Sequence, residues 1–256
     1  MTAAGSVLIV MIFAFLLVNT VVGVWRRQRI LAVMAEQRAR FFRNSIVNLA
    51  VLVAVGSIAV DVHPDLTAAD VGWRLPEGNW SDYLYTAYIL VLLIAVYLRS
   101  RKGPLSPGTT VLLPRTGGER LLAGAAAVAF GVGEEFLYRG LLLAAGTELL
   151  GLPLWVAAVL GWALFVAAHV YQGGRALFTI GLLGLIFTML YLSSMSLVLP
   201  IIVHTLWDTV FLLLIRPRPA VAEQARAEEE IPAVVVETPV PVPVAEPRRL
   251  RAAAPE

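Results

Sequence analysis

The chain has 256 residues, 59% of them hydrophobic and only 15% charged, with a formal net charge of +2; its mean hydropathy of +0.78 is far above that of a soluble domain. This composition is that of an integral membrane protein, and because the basic residues gather at the ends of apolar runs, the sequence carries no nucleic-acid signal. Cys is absent, which removes disulfide frameworks and thiolate metal sites and leaves His, Asp and Glu as the plausible metal ligands.

The first apolar run, Ser6 to Val24, is long enough to cross about 30 Å of hydrocarbon. It reads as an uncleaved anchor, since neither a positive start nor a small-residue cleavage site is evident. Trp25 to Arg43 then carries Arg26, Arg27, Arg29, Arg38, Arg40 and Arg43 among apolar residues. Such a segment is either an amphipathic helix on an anionic cytoplasmic surface or a basic linker that fixes topology. Ser45 to Val60 gives a short second span, followed by a mostly acidic loop, Asp61 to Asp82, in which His63 reads as an ordinary loop histidine. The third span runs from about Tyr83 to Tyr97, and the loop after it is basic, with Arg99, Arg101, Lys102, Arg115 and Arg120.

Leu121 to Leu149 forms the fourth span, Leu152 to Tyr171 the fifth, Leu177 to Leu192 the sixth and Leu197 to Ile215 the seventh. With this count the arginine-rich loops fall on one side. The positive-inside rule then puts the N-terminus outside and the C-terminus in the cytoplasm. Residues 216–256 change to Pro, Ala, Val, Glu and Arg, a composition that cannot bury a core and predicts a disordered, partly polyproline tail. The expected fold class is therefore all-α, a polytopic transmembrane helical bundle of about seven spans. Its expected parts are 1–43 (anchor and basic segment), 44–120 (two spans and their loops), 121–215 (a four-span core) and the tail.

The fourth span contains an anomaly. Glu134, Glu135 and Arg139 stand in the middle of an apolar run, where each charge costs roughly 2.5 to 3.5 kcal/mol if unpaired. Glu135 and Arg139 lie at i and i+4 on one stripe, so one carboxylate has a partner on its own helix. Glu134 points about 100° away and is the freer of the two. Gly131 and Gly133 strip the turn before it, allowing a helix or a substrate backbone to come close. The fifth span adds Phe165 and His169, and the seventh His204 and Asp208, each pair again at i and i+4, the spacing at which one helix face presents two ligands to one ion. If spans four, five and seven pack together, Glu134, His169, His204 and Asp208 converge on one buried polar cavity, with Tyr138 and Trp207 either lining its wall or packing between helices.

Glu134-Glu135-x-x-x-Arg139 followed by Gly140, then Phe165-x-x-x-His169, then His204-x-x-x-Asp208 preceded by Leu199-Pro200-Ile201-Ile202, resembles the three motifs of the CAAX prenyl protease and bacteriocin-processing family of intramembrane endopeptidases. In that family the third motif ends in Asn or Asp. The resemblance covers roughly Leu121 to Ile215. It implies hydrolysis of a membrane-embedded or lipidated peptide or protein within the bilayer, in the membrane of a bacterial cell. Glu134 would be the base that activates water, Arg139 would hold the carboxylate geometry, and Glu135, His169, His204 and Asp208 would complete the site. Two mechanisms fit. A divalent ion, zinc as the first candidate, is held by some of Glu135, His169, His204 and Asp208; or Glu134 and His169 activate water without metal while His204 and a polar partner stabilise the oxyanion. Asp208 favours the metal slightly, because an ionised carboxylate repels an oxyanion. Rival functions are a non-catalytic membrane scaffold, immunity or regulatory protein of the same fold, against which the intact motifs speak, and a proton-coupled transporter, for which two similar halves with broken helices are missing.

Overall fold

The computed structural model describes residues 2–76, 80–100 and 107–215. The expected tail lies outside them, as do Arg101 and Lys102 of the third loop. All seven apolar runs are helical: α1 (Thr2–Trp25), α3 (Arg38–Asp61), α4 (Trp80–Ser100), α6 (Gly117–Glu135) with its continuation through α7 (Leu142–Ala144) to Leu149, α8 (Leu154–Ala168), α9 (Gly174–Ser194) and α10 (Val198–Thr209), with a short α2 (Arg27–Glu36) and α5 (Pro107–Thr110) between them. The described residues contain no strand. Four helices, Ala4–Trp25, Arg38–Asp61, Gly117–Leu149 and Ala176–Ser194, are long and apolar enough to cross a bilayer, and Leu84–Ala95, Leu154–Ala168 and Val198–Leu214 are shorter apolar helices. The chain is a multi-pass, all-α membrane protein.

Two boundaries differ from expectation for physical reasons. The basic segment is not one helix. It breaks at Gln37 (φ −121°, ψ 45°), and Arg38 begins α3, buried because its Nε donates to the Val111 carbonyl at 2.7 Å and Nη1 lies 3.6 Å from Glu119. A division after Arg43 thus falls inside a helix. The fourth span starts earlier because Thr116 and Glu119 form a capping box: the Thr116 hydroxyl accepts the Glu119 N–H at 3.2 Å while the Glu119 carboxylate accepts the Thr116 N–H, satisfying donors that the first turn leaves open.

α6 is the central element, packed chiefly against α3 and α10. Water-driven burial is weak between helices in lipid, so close packing at small residues does the joining. A side chain at Gly131 would collide with Thr205 of α10, and a Cβ at Gly133 would stand 2.9 Å from Leu49 of α3. Both glycines therefore seat neighbouring helices. After Glu135 the helix widens into a π turn, Phe136–Leu141, in which every residue is buried. Six consecutive residues go round the whole helix, so their burial means that the turn is surrounded on every side.

Contacts between distant segments gather at two ends of the bundle. At one, Arg27 Nε donates to the Tyr171 carbonyl at 2.9 Å, and Arg120 Nη2 to that of Leu213 at 2.9 Å. At the other, the loop 62–76 covers the helix ends: Leu197 N–H donates to the Gly72 carbonyl at 2.9 Å and Arg74 Nε to that of Met195 at 2.7 Å. His63 belongs to this cover and is not an ordinary loop residue. It is buried, its Nδ1 accepts the Asp65 N–H at 3.2 Å, and Nε2, left with the proton, donates to the Ser6 hydroxyl at 3.1 Å.

Candidate active site

Glu134 and Glu135 end the α-helical part of α6 and point different ways, as adjacent helical residues must. Glu134 lines a cavity of about 520 Å³, open in part, with walls from α1, α3, α6, α8, α9 and α10. Glu135 is fully buried and faces a set of fixed donors. Its Oε1 accepts from Arg139 Nη1 at 3.1 Å and from His204 Nδ1 at 2.7 Å, while Oε2 has no hydrogen-bond partner among the described residues.

Arg139 sits in the π turn with every guanidinium nitrogen engaged: beyond Glu135, Nη2 donates to the Gly184 carbonyl at 2.9 Å and Nε reaches the Thr188 hydroxyl at 3.4 Å. The guanidinium lies 4.3 Å from the centroid of the Phe165 ring, a cation–π contact worth about 2 kcal/mol when desolvated. A charge this deep survives only when paired and hydrogen-bonded. Its α9 partners, Gly184 and Thr188, are site residues that sequence reasoning did not single out; their one signal is a polar Thr at i+4 from a Gly inside an apolar run.

The two histidines are each anchored through Nδ1, which leaves Nε2 of both towards the cavity. His169 closes the C-terminus of α8, and its Nδ1 lies 2.8 Å from the Phe165 carbonyl, so Nδ1 carries the proton and Nε2 is the acceptor. Nε2 is 3.8 Å from Glu134 Oε2. His204 donates from Nδ1 to the Glu135 carboxylate and stacks on Phe187 with ring centroids 4.7 Å apart. Its Nε2 is 4.0 Å from Glu134 Oε2 and 3.5 Å from Asp208 Oδ2. Glu134, His169, His204 and Asp208 thus converge, with Tyr138 and Trp207 on the same cavity wall, and Glu135 and Arg139 brace the cluster from behind.

This arrangement does not fit a metal as drawn from spacing. Among the described residues no group of three or more His, Asp or Glu side chains stands where an ion could be held. Of the four expected ligands, Glu135 has Oε1 engaged by Arg139 and His204 and does not line the cavity. The i,i+4 pattern identifies the residues on each stripe but not which atom of each faces the common point.

Residues 117–210 match the family model described as type II CAAX prenyl endopeptidase Rce1-like. The match begins at the first turn of α6 and ends just past Asp208, so all six residues of the cluster lie within it. No curated protein and no solved structure matches the chain.

Proposed function

Because the segment 117–210 matches the family model described as type II CAAX prenyl endopeptidase Rce1-like, we propose that the chain hydrolyses a peptide bond inside the bilayer with Glu134 as base, and that its own side chains suffice to organise the reaction. The observation that carries this reading is the approach of Glu134 Oε2 to His169 Nε2 (3.8 Å) and His204 Nε2 (4.0 Å) in a cavity large enough for an extended peptide. Those gaps exceed a direct hydrogen bond and suit one bridging water.

Glu134 and His169 Nε2 are both acceptors, so a water between them donates both its protons and turns a lone pair outward. On attack the water oxygen bonds to the scissile carbonyl carbon and its proton passes to Glu134. The developing oxyanion is met by a proton on His204 Nε2, a donor held in place by the Glu135 and Phe187 contacts. Collapse breaks the C–N bond, and the proton on Glu134 moves to the leaving amine. Low dielectric strengthens each of these steps. Asp208 Oδ2, 3.5 Å from His204 Nε2, helps to hold that ring in place.

The substrate proposed is a membrane-embedded or lipidated peptide, the class named by the family. The proposed orientation puts the N-terminus outside and the C-terminus in the cytoplasm, supported by the clustering of Arg27, Arg38 and Arg120 at one end of the bundle. The deciding comparison is of membrane peptides from cells carrying wild-type or Glu134→Gln protein. Fragments present only with the wild type support the reading, and identical peptide sets from the two would remove it.

A further inference from the structure

The cavity has a wall that the cluster does not use, supplied by helices outside the family-matched segment. Along α3, Phe41, Ser45, Asn48, Leu49 and Leu52 line it, a spacing that defines one helical face. Asn19 of α1 lines it as well. The packing sets their depth. Leu49 lies against Gly133, which brings Asn48 level with Glu134 across the cavity. α1 and α3 run antiparallel with Gly5 against Ala59, so Asn19 falls about level with Ser45.

Polar side chains inside bilayer-crossing helices are retained where they meet each other, a cavity or a ligand. Among the described residues neither Ser45 nor Asn48 has a hydrogen-bond partner. Asn19 spends its Nδ2 on the Phe15 carbonyl at 2.8 Å, which leaves its carbonyl oxygen as an acceptor. None of these groups transfers protons near neutral pH, so they are not acids or bases for the reaction. A carboxamide does carry one acceptor and paired donors, the complement of a peptide group. The remainder of the wall is mainly aromatic and aliphatic, with Thr109, Gln172 and Thr179 as further polar side chains.

We propose that Asn48, with Ser45 and Asn19, binds the main chain of the peptide beside the scissile bond and so sets which bond faces Glu134. This rests on the proteolytic reading above. Asn48 is a positioning residue in that account, since it acts through the placement of substrate rather than on the reacting atoms.

The test uses the full chain in proteoliposomes and a mixture of synthetic decapeptides, half of them farnesylated on a central cysteine, with cleaved bonds mapped by mass spectrometry. Asn48→Leu keeps the volume and removes the hydrogen bonds. It is expected to raise KM about tenfold while kcat stays within about threefold, and to spread cleavage to the neighbouring bond. Asn48→Ser, which keeps one donor and acceptor, is expected to restore the wild-type cut and part of KM, and decides the matter by the same readouts if the leucine variant does not fold. Unchanged KM and cleavage pattern overturn the proposal, as does a fall in kcat alone with the cut unmoved. Wild-type protein that cleaves none of the peptides, like Glu134→Gln, overturns the proteolytic reading and this one with it; wild-type cleavage with an indifferent Asn48 overturns this one only.

Discussion

His204 Nδ1 stands 2.7 Å from Glu135 Oε1, the same oxygen that accepts Arg139 Nη1 at 3.1 Å. One buried carboxylate oxygen therefore fixes both a histidine tautomer and an arginine, which separates the two adjacent glutamates by role. Glu135→Gln leaves Arg139 without its counter-charge in a site 1% exposed, and breaking such a pair costs about 3 to 5 kcal/mol. It is expected to lower thermal stability along with cleavage, measured by unfolding in detergent. Glu134→Gln, on the cavity wall, is expected to lose cleavage at least a hundredfold with the melting temperature unchanged. Equal destabilisation by the two variants would contradict the division.

Asp208→Asn distinguishes the ways in which the site could work. An amide still contacts His204 Nε2 and removes a charge that opposes the oxyanion, so cleavage is expected to remain within about fivefold of wild type, whereas Asp208→Leu is expected to lose tenfold or more. A carboxylate needed to ligate an ion could not be replaced this way. Steady-state cleavage by the three proteins, each checked for folding, settles it.

Chelation bears on the same point independently. With no group of three donors arranged for an ion among the described residues, prolonged treatment with a strong zinc chelator followed by gel filtration is expected to leave cleavage unaltered. Loss of activity that returns with added zinc would show that the reaction needs an ion and that the cavity-facing His169, His204 and Asp208 rearrange to hold it.

Arg27 lies outside the family-matched segment yet holds the turn that follows His169, its Nε bonded to the Tyr171 carbonyl at 2.9 Å. A charge-assisted bond of this kind contributes about 1.5 to 3 kcal/mol. Arg27→Ala is expected to reduce kcat about tenfold with KM little changed and to speed hydrogen exchange in residues 169–173 selectively. Exchange raised evenly through the bundle would point to general destabilisation.

Gly131→Ala places a methyl group against Thr205. Relief requires α10 to move away from α6, carrying His204 and Asp208 with it. Overpacking of this kind costs about 1 to 3 kcal/mol, and cleavage is expected to fall further than stability alone explains, measured as kcat at a temperature where the variant is fully folded.

The apolar runs and the three i,i+4 pairs were legible in the sequence because membrane thickness and helical period leave little freedom, and Glu135 with Arg139 stand together as that period requires. Four features were not. The π turns at Phe136–Leu141 and Val210–Leu214 insert a residue for reasons of tertiary packing that no local pattern signals. The N-terminal extension of α3 depends on Arg38 meeting Glu119, a pairing of residues remote in the chain, so an arginine destined for burial reads as an interfacial charge. Which atom of each expected ligand faces the cavity was not legible either, since a stripe of donors does not show that Glu135 Oε1 is engaged by Arg139 and His204. His63 was misread for a similar reason: its partner Ser6 belongs to a different helix.

The cover formed by loop 62–76 bears on the host as well as on the reaction. The cavity wall reaches Thr109, Tyr171 and Ile215 at one end of the bundle and takes nothing from that loop at the other. A hydrolase must admit water to the middle of the bilayer, and a passage open at both ends would let protons run down the membrane potential. On the proposed reading, the hydrogen-bonded loop closes one end, so that water admitted for hydrolysis stands in a blind well and the cell's ionic gradients survive it.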